Sequence, residues 1–118
     1  MKILVIDDDE EITTMISKFL KLKKHDCITT NDSKEGTRML ENEKFDLVLL
    51  DLSMPGFSGY DVIDHLEKNG KIKENKIILF TVSHVNDEKM KVLIKKGVYS
   101  SMKKPIELNE LLKAIESI

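Results

Sequence analysis

The 118 residues carry 19 lysines and arginines against 21 aspartates and glutamates, with 41% hydrophobic and 34% charged residues and two prolines. These values describe one soluble globular domain, large enough to bury a core without disulfides or structural metal, and exclude a disordered or fibrous chain. A net charge of -2 excludes nucleic-acid binding through a bulk basic face, and one cysteine, Cys27, in a short apolar run points to a buried thiol in a reducing compartment. No Cys/His metal spacing occurs. The first apolar run is too short for a signal peptide and none reaches spanning length, so the expected location is the cytoplasm, with no membrane contact.

In chain order, Ile3–Ile6 is wholly apolar, reads as a strand buried on both faces, and ends in Asp7-Asp8-Asp9. Glu10 and Glu11 then put negative charge on the first turn of a helix whose apolar residues Ile12, Met15, Ile16, Phe19 and Leu20 fall at helical spacing. Lys21, Lys23 and Lys24 close it as a solvated, dipole-matched end. Cys27–Thr30 is a second strand, and Asn31-Asp32-Ser33 a loop with cap residues for a helix running to about Asn42. Gly36 lies inside that helix at a cost of about 1 kcal/mol relative to alanine. Phe45–Asp51 is too apolar for a half-exposed strand and reads as the central buried one, stopped by Asp51. Met54-Pro55-Gly56 and Gly59 are turn chemistry that folds the backbone back toward that carboxylate.

Tyr60–Lys68 carries Val62, Ile63 and Leu66 on one helical face and is closed by Asn69-Gly70. Ile77–Phe80 is another buried run, ending in Thr81. Asn86-Asp87-Glu88 opens a helix with Met90, Leu93 and Ile94 inward and Lys95-Lys96-Gly97 as its stop. Val98–Met102 is a short, serine-rich strand. After Lys104-Pro105 the last helix carries Leu108, Leu111, Leu112, Ile115 and Ile118. Strand and helix alternate throughout, which predicts an α/β domain over residues 1–118 with a parallel sheet covered on both faces. There is no linker, repeat or low-complexity segment.

Right-handed crossovers bring Asp7, Asp8, Asp51, Thr81 and Lys104 to the carboxyl edge of that sheet, where open α/β folds place their ligands. Carboxylates gathered there repel unless a cation neutralises them. Mg2+ suits the site, because it takes oxygen ligands and is held by one or two carboxylates plus a phosphate. An aspartate can act as nucleophile toward phosphorus, and metal, lysine and hydroxyl suffice for phosphoryl transfer. Asp51 is the first candidate for the reacting group.

The succession ILVIDDD, FDLVLLDLSMPGFSG, IILFT and KKP resembles the receiver domain of two-component response regulators over essentially the whole chain. The resemblance implies a doubly wound, flavodoxin-like five-stranded sheet of order 2-1-3-4-5 with five helices. It implies that Asp51 is the phosphoacceptor, Asp8 a direct Mg2+ ligand, Asp7 the holder of a metal-bound water, and the Ser53 carbonyl a further metal ligand beside Asp51. Thr81 would hydrogen-bond the phosphoryl group, Lys104 would pair with its oxygens, and Lys104-Pro105 would be cis. The implied partners are a histidine kinase or phosphotransfer protein and a downstream target or fused output domain. A homodimer through the face of the fourth helix, fifth strand and fifth helix is also implied as a candidate, with no direct nucleic-acid binding. Such a chain is a switch that catalyses only its own phosphorylation and dephosphorylation, not an enzyme with an external substrate.

Three departures accompany the resemblance. Val82 stands where receivers carry a small residue and would narrow access to the acyl phosphate. Ser101 replaces the aromatic that reads out phosphorylation, with Tyr99 on the same strand face as the alternative. Lys103 competes with Lys104, although adjacency to Pro105 favours Lys104. Two other readings stand beside the switch: a degenerate receiver acting as a phosphorylation-independent binding module, and a haloacid-dehalogenase-like phosphohydrolase built on Asp7-x-Asp9. His25, His65 and His84 read as rim or surface residues, and Met54 and Phe57 as loop packing.

Overall fold

The computed structural model describes residues 1–82 and 85–118. Strands β1 (Lys2–Ile6), β2 (Asp26–Thr30), β3 (Leu47–Asp51), β4 (Lys76–Thr81) and β5 (Ser100–Lys103) alternate with helices α1 (Glu10–Leu22), α2 (Ser33–Asn42), α3 (Gly59–Lys68), α4 (Asp87–Lys96) and α5 (Leu108–Glu116). Every pairing is parallel and the order is β2-β1-β3-β4-β5, the predicted doubly wound sheet.

Alternation of side chains along the strands splits the core in two. Leu4, Ile6, Val48, Leu50, Ile77 and Leu79 meet Leu40, Val62, Ile63, Leu66 and Leu93 on one face of the sheet. Ile3, Val5, Leu49, Ile78 and Phe80 meet Ile16, Leu20, Leu111 and Ile115 on the other. Both faces of β3 are covered, which accounts for its unbroken apolar run. Each helix starts with a side-chain cap: Asp9, Asp32, Ser58 in a reciprocal pair with Asp61, Asn86, and Glu107. Among the described residues, no helix is long and apolar enough to cross a membrane.

Several sequence expectations are corrected at element ends. β5 covers Ser100–Lys103 rather than Val98–Met102, because the Val98 N–H turns back to the Leu93 carbonyl and closes α4. Ile94 is not inward: it is 51% exposed, and α4 buries Leu93 with Met90 half-covered. On α1, Met15 is 39% exposed while Thr13 is buried. β3 starts at Leu47, with Phe45 buried just outside it and its N–H donated to Asn75 Oδ1 at 2.8 Å. A 3-10 turn at Ile72–Glu74, which no apolar periodicity signals, inserts Ile72 into the core. Gly36 is explained by packing: a Cβ there would lie 2.6 Å from Ile6 Cδ1.

Candidate functional site

The sheet register brings the predicted residues together. Ile6 pairs with Thr30 and Leu50, Asp51 with Phe80, and Thr81 with Lys103, so the residues after each of these rungs emerge along one edge. Asp7 and Asp51 are buried at 0% and 3% exposure, Thr81 is buried, and Asp8 faces solvent. One carboxylate oxygen from each of Asp7, Asp8 and Asp51 lies within 4.8 Å of the others. Lys104 Nζ sits 2.9 Å from Asp7 Oδ2 and 3.5 Å from Asp51 Oδ1. Lys103 is exposed, so the two adjacent lysines are distinguished in favour of Lys104. The Lys104 N–H donates to the Thr81 carbonyl at 2.7 Å, and Lys104-Pro105 is cis, as expected.

Burial, and then the neighbouring Asp7 charge, push the Asp51 carboxyl from 3.8 up to about 6, against the opposing pull of the Ser53 N–H and of Lys104. Burial alone would lower Lys104, but the carboxylates of Asp7 and Asp51 outweigh it and hold the ammonium above its ordinary value. One ammonium does not balance three carboxylates. Asp7 Oδ2 is fully buried and accepts no directed hydrogen bond; its compensation is the charge of Lys104. An all-oxygen set of three converging carboxylates facing one ammonium fits a small, hard divalent cation.

The loops that carry these groups are tightly held. Ser53 donates its N–H to Asp51 Oδ1 at 3.1 Å. The turn after Asp51 closes on Gly59, where a Cβ would lie 2.4 Å from the Asp51 carbonyl oxygen, so only glycine permits the approach. Asp9 is spent on helix capping: its Oδ1 accepts from the N–H groups of Glu11 at 2.9 Å and Ile12 at 3.4 Å.

Other predicted residues lie apart from the cluster. Tyr99 pairs beside Ile77, four residues and so about 13 Å from the Lys103 end of β5, with Lys76 over its ring. Ser101 is exposed and Val82 is 64% exposed. His25 lies beside the N-terminal amine and His65 pairs with Glu41 across α2 and α3, both away from the site; His84 falls outside the described residues. Met54 is buried in the core and Phe57 packs against it. Asn31 was read only as a loop residue, yet its Nδ2 lies 2.8 Å from the Asp7 carbonyl. A single polar side chain reaching another strand end leaves no periodic signal by which sequence could have found it.

With this geometry in place, the comparisons with known proteins are specific. The chain is 35% identical to the alkaline phosphatase synthesis transcriptional regulatory protein PhoP of Bacillus subtilis, over 97% of this chain and 48% of that protein. It is 31% identical to the cell cycle response regulator CtrA of Brucella ovis, over 100% of this chain and 50% of that protein. The chain thus spans about half the length of the curated relatives it matches. The chemotaxis protein CheY4 of Vibrio cholerae shares the fold with a TM-score of 0.86 at 24% identity, covering 99% of this chain and 97% of that one. NtrX of Brucella abortus does so with a TM-score of 0.79 at 24% identity, over 98% of this chain and 26% of that one. The sequence profile of the response regulator receiver domain matches residues 3–116, and the chain belongs to that family.

Proposed function

We propose that this domain, residues 1–118, is a phosphorylation-activated switch of a two-component system, accepting a phosphoryl group on Asp51 from a histidine kinase or phosphotransfer protein. The observation that carries this reading is the convergence of Asp7, Asp8 and Asp51 within 4.8 Å, with Lys104 Nζ at 2.9 and 3.5 Å from two of them. An ionised Asp51 oxygen attacks phosphorus, and the donor's bond to phosphorus breaks with its electron pair leaving on the donor. Lys104 pairs with the phosphoryl oxygens and Thr81 hydrogen-bonds them. When bound by Asp8, Asp51, the Ser53 carbonyl and, through water, Asp7, Mg2+ supplies neutralisation of the carboxylates and of the incoming phosphoryl charge. The new dianion biases the surface around α4, β5 and α5 toward a form that a target protein, a fused output domain or a second copy binds. The place of action is the cytoplasm.

Intact mass after incubation with Mg2+ and acetyl phosphate or phosphoramidate tests the proposal. The expected outcome is one added phosphoryl group, lost in Asp51→Asn and with chelator. The exposed Val82 and Ser101, in place of a small residue and an aromatic, favour one second reading: a binding module indifferent to phosphorylation. Failure to gain mass with several donors, together with no Mg2+-dependent binding of beryllofluoride, would overturn the phosphoacceptor proposal and leave that module as the better reading.

A further inference from the structure

We infer that the turn joining β2 to α2, through Asn31 and Ser33, is a brace that fixes the spacing of the two loops bearing the acidic cluster; both are positioning residues. The inference rests on the reading of this site as a cation and phosphoryl site. Asn31 bonds both flanks of the segment carrying Asp8. Its Nδ2 donates to the Asp7 carbonyl at 2.8 Å, at the end of β1, and lies 3.1 Å from Thr13 Oγ1 in the first turn of α1. Ser33, buried, reaches the other way: its Oγ donates to the Phe57 carbonyl at 2.6 Å, in the loop between β3 and α3 that also contains Ser53.

The turn between these two contacts is itself stiff and anchored in the sheet. Thr30 pairs with Ile6 in the β1–β2 ladder, its Oγ1 accepts the Asp32 N–H at 3.1 Å and donates to the Asp32 carbonyl at 3.3 Å, and Asp32 caps α2 through the Lys34 N–H at 3.0 Å. Three carboxylates drawn together repel, and the exposed Asp8 is the one able to swing away. Holding both ends of its segment, and the facing loop, to one rigid turn keeps the oxygens convergent before a cation arrives. That is what positioning partners of metal ligands do.

Two measurements on the purified protein test the brace. Mg2+ titration by calorimetry should show a dissociation constant raised about tenfold in Asn31→Ala and in Ser33→Ala. Asn75→Ala, which removes a hydrogen bond at the opposite edge of the sheet, should lower the melting temperature and leave the Mg2+ affinity unchanged. Amide hydrogen exchange without metal should rise about tenfold at Asp9 and Glu11 in Asn31→Ala, and at Phe57 and Gly59 in Ser33→Ala, the factor for one lost hydrogen bond. Affinities within twofold of the wild type and unchanged exchange at these amides would overturn the brace. Faster exchange in variants of a protein whose wild type binds no Mg2+ would support the brace and refute the cation site.

Discussion

Asp51 carries its charge at a cost in the cation-free protein, because it is 3% exposed and faces Asp7. A carboxyl displaced from 3.8 to about 6 stays protonated more readily in the folded than in the unfolded state, so stability falls as pH rises through that window. Below about pH 3 both states are protonated and there is no penalty; above about pH 7 it is complete. The displacement corresponds to about 3 kcal/mol as a ceiling. Asp51→Asn should therefore stabilise the metal-free domain by about 1–2 kcal/mol near neutral pH and by almost nothing near pH 3, as read by urea denaturation across that range. Equal stability of mutant and wild type at neutral pH would remove the repulsion argument. The position of Asp51 was legible because a carboxylate ends an apolar run, and Thr81 because it ends another; Lys104 follows a serine-rich strand and was legible only through the Lys-Pro resemblance. The brace of Asn31 and Ser33 was not, since a side chain bonded to a distant carbonyl reads in sequence as an ordinary cap or turn residue.

At the scale of elements, apolar runs located β1, β3 and β4, and helical spacing of apolar residues located all five helices, with cap or turn residues marking several of their ends. The bounds of β5 and the facing of Ile94 in α4 differ from expectation for one reason: an element beside solvent has few buried residues, so its pattern is weak. α4 buries only Leu93 fully, so helical spacing placed Ile94 inward beside Met90 and Leu93 although it faces solvent. Glycine in helices shows the opposite limit, because propensity predicts that alanine would improve Gly36 and Gly59, and packing reverses both. At Gly36 the new Cβ would press on the flexible end of Ile6, a side chain fully buried in the core. Overpacking of about 1–3 kcal/mol against a propensity gain of about 1 kcal/mol leaves Gly36→Ala mildly destabilising. At Gly59 the obstacles are backbone atoms, the Asp51 carbonyl oxygen at 2.4 Å and Leu52 Cα at 2.7 Å, which cannot move without shifting the site loop. Gly59→Ala should be the costlier of the two and should also weaken Mg2+ binding, whereas Gly36→Ala should leave it intact; thermal melts and Mg2+ titration check both. A Gly59→Ala protein as stable as the wild type would show that the loop yields where the packing says it does not.

For the whole molecule, the topology that makes the site also polarises it. Every helix begins at the carboxyl edge of the sheet, so Asp9, Asp32, Asp61, Asp87 and Glu107 gather there with the site carboxylates, while Lys21, Lys68, Lys95 and Lys96 mark helix ends at the other edge. The acids at the helix starts are matched to the helix dipoles, so the carboxylates left in mutual repulsion are those of Asp7, Asp8 and Asp51, and a divalent cation there would relieve it. The proposed Mg2+ site exists only where the fold assembles the oxygens, so it predicts stabilisation of the domain as a whole on binding. Mg2+ at a hundred times its dissociation constant should add about 2.7 kcal/mol. For a chain of this size that raises the melting temperature by about 10 °C. Protons compete for the same oxygens, since Asp51 titrates near 6 without metal. The rise at fixed Mg2+ should therefore be larger near pH 8 than near pH 5, and in Asp51→Asn it should be smaller and nearly independent of pH. Calorimetric melts at the two pH values, with and without Mg2+, measure it directly. A rise of equal size at both would mean that the cation binds somewhere other than at Asp51.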